Sequence, residues 1–430
     1  MNKITKYLSI MLLPLLMACS SETDGPQQED PDNKPNDKVV AEDVEPLPTM
    51  KSIDVSADEK EVLNALMDIS FKLNNSVAEN YNNVFVEAEN GNYCISPISV
   101  VSCLSLIANS LDNPAKGEMV KALGCSSVEE LNVLNKKLLQ YLPAPENGVD
   151  MRIANSVWYH NLFSVTDEYR QLMAENFGSP VYKRDFKDEG TIDEVNSWID
   201  RSTNGMIKDL LTSIPRNCTI MWYNAIYFEG EWIKKFKAED TVKANFNGSE
   251  TKSIIDMMKK TEYIDYAEVS GLKMASIFFE GMKYSLDIIL PTDEKEDVNN
   301  LLSAEAYQAM IDASRTHKVN LSLPKFKAES TALLTPVLNK MCMPHQHLHL
   351  TGIGFPEDYT AYELQIGQKA KFEVDEDGAK AAAVTGGMTT STGEEPEYKE
   401  IDMVVNRPFF YIIRNHKTGA LVMMGNVKNL

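Results

Sequence analysis

The sequence predicts an α+β fold, with helices mostly early in the chain and strands mostly late. Two early stretches, Ala57–Val77 and Pro97–Leu111, carry apolar residues near helical spacing. Later stretches rich in β-branched, aromatic and aliphatic residues predict strands. These are Arg152–Tyr159, Thr219–Phe228, Tyr284–Leu290, Val319–Phe326, Phe409–Arg414 and Ala420–Val427. Because helices and strands do not alternate, the pattern does not favour a parallel α/β sheet.

Charge restricts the partners of this chain. Its 430 residues carry a formal net charge of −21, and 43% of them are apolar. Such a charge repels nucleic acid and anionic membrane surfaces, so neither is expected as a partner. The apolar content is ordinary for a protein with a sizeable core.

The N-terminus predicts a targeting segment. Lys3 and Lys6 precede an apolar run, Leu8–Met17, that is too short to span a bilayer. The run ends in Leu-Met-Ala-Cys19, which resembles the lipobox of bacterial lipoproteins. The resemblance implies cleavage of residues 1–18, lipidation of Cys19 and an anchor in the bacterial outer membrane. An ordinary signal peptide with a coincidental cysteine is the alternative.

Residues 19–50 predict a solvated tether, followed by one folded domain over residues 51–430. The tether is rich in Asp, Glu and Pro and poor in large apolar residues, so it buries too little surface to order itself. Its acidic start resembles surface-export signals of some lipoproteins, which implies the cell surface; a plain spacer explains the same residues. The other five cysteines are scattered and odd in number, so they predict free thiols rather than disulfides.

Several motifs of the folded domain resemble, in order, those of the serpin family. They are Asn92-x-x-x-Ser96-Pro97-x-Ser99, Ala154-Asn155-Ser156-Val157-Trp158, Asn196-x-Trp198, Thr203-x-Gly205-x-Ile207, Asn224-Ala225-Ile226-Tyr227-Phe228-x-Gly230-x-Trp232, Ile288-Ile289-Leu290-Pro291, Leu323-Pro324-Lys325-Phe326, Glu376–Thr385 and Arg407-Pro408-Phe409. The resemblance implies helices around a large central mixed β-sheet with smaller sheets and an exposed reactive-centre loop. It also implies a monomer without cofactors, which inhibits a target endopeptidase by covalent trapping.

The segment after Glu376 can be interpreted from its residues alone. Strand geometry puts alternate side chains on one face, and one such face here is entirely small. Its members are Ala379, Ala381, Ala383, Thr385, Gly387 and Thr389. The opposite face, which includes Ala382, tolerates larger side chains, and Gly378 supplies a pivot. We therefore predict that this segment inserts into a crowded sheet, as the hinge of a reactive loop does.

Further residues of this chain match serpin-family positions, and the resemblance implies their roles. Ser96, Ser99 and Asn224 match the shutter, a polar network beneath the sheet, and Gln368 stands where the family has a histidine. An amide still donates and accepts hydrogen bonds, so a working shutter is expected. Trp232 matches the breach, where insertion starts, with Glu376 as the acidic residue near it.

Family spacing from Glu376 predicts a reactive bond between Thr392 and Gly393. A shift of a few residues stays open, over the window Met388, Thr389, Thr390, Ser391 and Glu394. Small residues fit elastase-like or subtilisin-like serine proteases, and papain-like cysteine proteases remain candidates. The absence of a basic residue between Val384 and Tyr398 argues against trypsin-like targets.

The sequence gives little support for a metal site or for an enzyme. His345, His347 and His349 alternate and would share one face of a strand, a pattern that can bind zinc or copper. A polar loop without metal explains them better, and we assign no metal site. No nucleophile elbow, zinc-protease motif or phosphate loop occurs, so an enzyme is not expected. A non-inhibitory serpin acting as a binding module is the remaining alternative.

Overall fold

The computed structural model describes residues 44–88, 90–144, 148–216, 218–341, 350–354, 366–379 and 399–430. All of them belong to one compact unit. The helices are α1 (Ala57–Glu79), α2 (Tyr81–Val84), α3 (Pro97–Ser110), α4 (Ala115–Ala122), α5 (Val128–Tyr141), α6 (Asp167–Phe177), α7 (Gly190–Ser202), α8 (Val298–Leu301), α9 (Ala304–Ala313) and α10 (Thr335–Met341), with a short 3-10 helix at Ala238–Asp240.

Side-chain caps fix where several helices begin. Ser56 and Glu59 form a capping box at the start of α1, each accepting the other's backbone N–H. Ser96 accepts the backbone N–H of Ser99 at the start of α3, and Pro97 occupies the first turn, where its missing N–H costs nothing. The two predicted helices are confirmed.

In the part of the chain that the structure describes, eighteen strands make up the rest of the regular structure. They are β1 (Phe85–Ala88), β2 (Tyr93–Ile95), β3 (Val149–His160), β4 (Ser164–Val165), β5 (Val181–Arg184), β6 (Ile220–Glu231), β7 (Val242–Asn247), β8 (Lys252–Val269), β9 (Leu272–Phe278), β10 (Tyr284–Pro291), β11 (Arg315–Pro324), β12 (Phe326–Leu333), β13 (Ile353–Gly354), β14 (Gly367–Val374), β15 (Gly378–Ala379), β16 (Glu400–Val404), β17 (Phe409–Asn415) and β18 (Leu421–Val427).

The strands form one long sheet, one sheet in two halves and a small two-stranded pair. The long sheet has the order β16-β11-β8-β9-β10-β17-β18-β2, with β7 on β8. The main sheet consists of a four-stranded half, β15-β6-β3-β5, and a three-stranded half, β1-β12-β14. Parallel pairs, such as β3 with β5, occur beside antiparallel ones, so the sheets are mixed. The predicted α+β class is confirmed.

Helix α3 forms the buried centre of the molecule. Thirteen of its fourteen residues are buried, and it packs against β6 of the main sheet and β18 of the long sheet. A helix that is buried all round carries its polar side chains into the core, where they need hydrogen-bond partners. One of the α3 serines, Ser102, accordingly donates its hydroxyl to Asn155 of the main sheet.

One predicted strand is wrong. Val319–Phe326 is two strands in different sheets, β11 and β12, separated at Lys325. Pro324 has no N–H to continue the ladder, and the N–H of Lys325 instead donates to Asp256 O at 2.9 Å. The turn sends the chain from the long sheet into the main sheet. The other predicted strands are confirmed, with ends shifted by one to three residues.

The described cysteines carry free thiols, as the sequence predicts. Cys94, Cys103, Cys125 and Cys218 are unpaired, and burial raises the pKa of each thiol. Cys342 lies outside the described residues. No helix in the described part of the chain is long and apolar enough to cross a membrane.

Candidate functional site

A tight turn at Asp375–Gly378 connects the two halves of the main sheet. The N–H of Asp375 donates to Gly378 O at 3.0 Å, and the Asp375 carboxylate accepts the N–H groups of Asp377 and Gly378. An aspartate that accepts nearby backbone donors in this way stabilises a reversal of the chain. The chain thus leaves β14, reverses and enters β15 beside β6.

Residues Gly378 and Ala379 already form the first two positions of a strand on β6. They pair antiparallel with Glu231 and Gly230. A Cβ at residue 378 would lie 2.0 Å from Gly230 O, and φ there is +154°. The close approach of the two backbones therefore requires a glycine at this position. Ala379, the first member of the predicted small face, is buried.

Trp232 holds the turn from the side of β6. Its indole Nε1–H donates to Asp375 O, and its backbone N–H donates to Asp377 O, both at 3.0 Å. The ring is fully buried and stacks on Phe279 with centroids 4.6 Å apart. A buried indole needs a partner for its N–H, and this one uses the turn; its role at the breach stays a prediction.

Glu376 joins the turn to three residues elsewhere in the chain. Its carboxylate accepts from Lys325 Nζ at 2.6 Å and from Thr241 Oγ1 at 2.8 Å, and its carbonyl accepts the N–H of Phe236 at 2.9 Å. Burial alone would raise the pKa of Glu376, but the hydrogen bonds from Lys325 and Thr241 lower it below the ordinary value. The charged form is therefore the one that holds the turn.

Lys235 supports the neighbouring residue of the turn. Its Nζ lies 3.2 Å from Asp377 Oδ1 and 3.1 Å from Glu231 Oε2. Burial would lower the pKa of Lys235, but both carboxylates raise it overall. The turn and the end of β6 are thus joined by an ion bridge as well as by the backbone.

Below the turn, the two halves of the main sheet are parted. Among the described residues, β6 pairs with β3 on one side along its length, and on the other side only at Glu231 and Gly230. A cleft of about 270 Å³ lies between the far end of β6, at Ile220–Tyr223, and residues Gly367 and Gln368 of β14. The described strands therefore leave a slot that one further strand could fill.

One part of the predicted shutter ties β14 to α3. Gln368 accepts the N–H of Ser96 at 2.9 Å and donates its own Nε2–H to Ser96 O at 3.1 Å. The Ser96 hydroxyl donates to Val422 O, and Ser99 contributes its backbone N–H. The amide of Gln368 thus uses both its donor and its acceptor.

A second part ties β6 to β3 and α3. Asn224 Nδ2–H donates to Asn155 Oδ1 at 2.7 Å, and the Ser102 hydroxyl donates to the same oxygen at 3.1 Å. Asn224 Oδ1 is buried and has no hydrogen-bond partner among the described residues. No described hydrogen bond joins Asn224 to Gln368, so the described polar residues beneath the sheet form two separate groups.

Several predicted residues lie outside the described residues. These are Cys19, His345, His347, His349, Ala381, Ala382, Ala383, Thr385, Met388, Thr389, Thr390, Ser391, Thr392, Gly393 and Glu394.

Sequence reasoning missed Lys325, Thr241, Lys235, Asn155 and Ser102 as members of the site. Lys325 and Asn155 stand inside recognised motifs, so their positions were visible but their contacts were not. Thr241, Lys235 and Ser102 stand in no motif that predicts a role, and only the fold brings them to the turn or the shutter.

Comparison with known proteins gives the family. The family model for serpins, described as serine protease inhibitors, matches residues 66–430. The chain belongs to the serpin family. Members of this family are generally protease inhibitors rather than enzymes, although some serpins are non-inhibitory.

Relatives of this serpin span nearly its whole length. An uncharacterised serpin-like protein of Thermococcus kodakarensis is 28% identical over 99% of this chain and 98% of its own. Human neuroserpin is 27% identical over 81% of this chain and 88% of its own. The native-state crystal structure of the thermophilic serpin tengpin superposes with a TM-score of 0.75 at 27% identity, covering 89% of this chain and 97% of tengpin. The serpin fold is therefore shown.

The Glu376–Lys325 ion pair should make the stability of this serpin depend on pH. Because the folded-state pKa of Glu376 is lowered, its contribution is complete above the unfolded value of about 4.3 and is lost as the pH falls through the folded value. We expect Glu376→Gln to lower the free energy of unfolding by about 1 kcal/mol at pH 7 and to have little effect near pH 3.

Urea unfolding at both pH values measures this difference. Glu373→Gln is the matched control, since Glu373 lies on the same segment and pairs with Lys371 at 3.1 Å near the surface. The control should cost less than about 0.5 kcal/mol. An equal loss for Glu376→Gln at pH 7 and pH 3 would contradict the assignment.

Proposed function

We propose that this serpin is a suicide inhibitor, which traps an endopeptidase by inserting its cleaved reactive loop between β6 and β14. The observation that carries the proposal is the strand start at Gly378–Ala379, with Ala379 buried against β6. A loop whose first two residues are already paired needs no new nucleation step to extend along the same edge.

The register of that pairing indicates what insertion would bury. Gly378 lies opposite Glu231 and Ala379 opposite Gly230, so continued pairing would bring Ala381 opposite Phe228 and Ala383 opposite Ile226. Phe228 and Ile226 are both buried in the core. Side chains opposite each other in an antiparallel pair share a face, and only small residues fit against such neighbours without displacing them. The small face of the loop therefore suits the slot.

The same register gives Thr385 a partner. It would come opposite Asn224, whose Oδ1 is buried without a hydrogen-bond partner among the described residues. A buried amide oxygen without a donor costs about 1–3 kcal/mol. The hydroxyl of Thr385 can supply that donor once the loop is inserted. Insertion would then complete the shutter part that the present arrangement leaves unsatisfied.

The chemistry begins as ordinary proteolysis. The nucleophile of the protease attacks the carbonyl carbon of Thr392, the Thr392–Gly393 amide bond breaks, and Gly393 leaves as a protonated amine. The protease remains attached to Thr392 as an acyl-enzyme, which water would normally hydrolyse. This serpin supplies the bond that is cleaved and the loop insertion that follows, and it contributes no catalytic residue.

Insertion then carries the protease away before it is released. The fourteen residues from Ala379 to Thr392, at roughly 3.3 Å each, span about 46 Å. Dragging the acyl-enzyme that far deforms its active site, and loss of an aligned oxyanion hole alone slows deacylation about a hundredfold or more. Trapping requires the uncleaved fold to be held kinetically above a more stable inserted state.

The target we propose is an elastase-like or subtilisin-like serine protease, with a papain-like cysteine protease as the less favoured class. Thr392 and the small or polar residues around it fit a shallow specificity pocket. The serpin acts as a monomer and needs no cofactor in this scheme.

The first test incubates the protein with an elastase-like, a subtilisin-like and a papain-like protease and separates the products on denaturing gels. We expect a complex with at least one of them that survives boiling in detergent. The mass of the released C-terminal peptide identifies the reactive bond, which we expect to be Thr392–Gly393.

Ala379→Arg and Ala379→Ser are the matched variants for this test. Ala379 is 1% exposed, so an arginine there should block insertion and convert the inhibitor into a substrate that is cleaved without a complex. Serine is small and should still form it. Cleavage of the unmodified protein without any complex, and without a gain in stability, would favour a non-inhibitory binding module instead.

Thr385→Val tests the proposed contact with Asn224. Valine keeps the shape of threonine but removes the hydroxyl, so the stability gained on loop cleavage should fall by about 1 kcal/mol. Thr385→Ser should keep most of that gain. Guanidinium unfolding of intact and cleaved protein measures it, and equal gains for the valine and serine variants would exclude the hydrogen bond.

We also propose that the inhibitor is tethered to the outer face of the bacterial outer membrane, with residues 1–18 removed, Cys19 lipidated, residues 19–50 as tether and residues 51–430 as the serpin domain. The support is the sequence pattern around Cys19 and the acidic, proline-rich stretch after it. Lipid attachment would be its only membrane contact.

Cys19→Ser should move the protein from the membrane fraction to the soluble fraction of expressing bacteria. Protease shaving of intact cells then distinguishes the outer face, where the tether is cleaved, from the periplasmic face, where it is protected. Identical fractionation of Cys19→Ser and the parent protein would rule out the lipid anchor.

A further inference from the structure

A second cleft, which shares no lining residue with the one at the proposed slot, contains buried polar groups without hydrogen-bond partners among the described residues. It has a volume of about 370 Å³ and lies where the end of β7, the segment before β17 and the end of β18 meet. We call it the Arg407 cleft, because Arg407 lines it together with Asn426, Lys252, Lys295 and Lys428. None of these residues takes part in the loop mechanism above.

Asn426 is the strongest indication that the cleft holds a ligand. Its side chain is 1% exposed and lines the cleft, and neither Nδ2 nor Oδ1 has a hydrogen-bond partner among the described residues. Buried side-chain amides almost always have partners, because an unpartnered one loses its hydration without compensation. The amide of Asn426 can donate one hydrogen bond and accept another toward the cleft.

Arg407 adds a buried positive charge that is poorly compensated. It is 7% exposed, its Nη2 donates to Pro291 O at 2.8 Å, and its Nε has no partner among the described residues. Among the described residues, the carboxylate paired with it is that of Glu294, which lies 3.8 Å from Nη1 and belongs to a side chain that is 81% exposed. Burial lowers the pKa of Arg407, and Glu294 offsets only part of that. A buried guanidinium in this state favours an anion.

The charged residues around the cleft also favour an anion. Lys252, Lys295 and Lys428 line it, and none of them forms an ion pair with a carboxylate in the described part of the chain. Of the acidic residues at the cleft, Glu296 accepts from Asn300 Nδ2 and Asp297 accepts from Asn299, so both are already engaged at the start of α8. The lining thus carries four cations and three carboxylates in a chain whose net charge is −21.

We propose that the Arg407 cleft binds a small oxyanion, the carboxylate or phosphate group of a ligand, through the guanidinium of Arg407 and the amide of Asn426. Oxyanions accept several hydrogen bonds at once, which matches the free Arg407 Nε–H and Asn426 Nδ2–H. The flexible lysines at the rim add long-range attraction. The cleft is also larger than the roughly 30 Å³ that one bridging water occupies.

Calorimetric titration of the full protein with sodium phosphate, sodium acetate and sodium chloride, at matched ionic strength, tests the proposal. We expect saturable binding of phosphate, of acetate or of both, and none of chloride. Phosphate alone would indicate a phosphorylated ligand, and acetate alone a carboxylate ligand. No saturable binding of either would overturn the proposal and leave water as the occupant.

Substitutions inside and outside the cleft test where the anion binds. Asn426→Asp places a competing carboxylate beside the site and should weaken binding by about tenfold or more. Lys428→Gln and Lys252→Gln, at the rim, should weaken it by about two- to fivefold. Lys417→Gln removes the same charge from an exposed residue outside the cleft and should change nothing.

Circular dichroism checks that each variant is folded. If Asn426→Asp does not fold, the two rim variants carry the test, because Lys252 is exposed and Lys428 only half-buried, and glutamine keeps much of the side-chain length. Binding that is unchanged in both rim variants, or weakened equally by Lys417→Gln, would mean that the anion binds elsewhere by general charge attraction and would overturn the assignment.

Discussion

The turn at Asp375–Gly378 is the constraint on which the rest of the main sheet depends. It brings the backbone of Gly378 so close to β6 that a Cβ would lie 2.0 Å from Gly230 O. Trp232, Lys325 and Lys235 hold it through an indole hydrogen bond and two ion pairs. Because these contacts join β14 to β6 at one end only, the described strands can be parted below the turn while the two halves stay connected.

The polar groups beneath the sheet follow the same division. Gln368 and Asn224 stand on opposite sides of the slot, and each bonds to α3 or β3 rather than to the other. Hydrogen bonds that crossed the slot would have to break before another strand could enter. The described hydrogen bonds do not cross it, and they leave Asn224 Oδ1 without a donor. The physical cost of that unsatisfied oxygen favours a state in which a further strand supplies the hydroxyl.

In the Arg407 cleft, too, polar atoms are buried without hydrogen-bond partners among the described residues, although no loop of the proposed mechanism reaches them. Unsatisfied buried groups are expensive in a marginally stable protein, so they are informative wherever they line a space large enough for a partner. Under the two proposals, the partner in the slot would be part of the chain itself, and the partner in the cleft would be an external anion.

The sequence by itself determined the α+β class, the two early helices and most of the strands, because periodicity and residue type are local properties. Its ordered motifs also identified the family. Only the tertiary structure decided that Lys325 and Thr241 hold Glu376, that the backbone of Gly378 closely approaches β6, and that Gln368 and Asn224 belong to separate hydrogen-bonded groups. Those facts rest on contacts between residues far apart in the chain, and no local pattern specifies which distant side chain will supply a hydrogen bond.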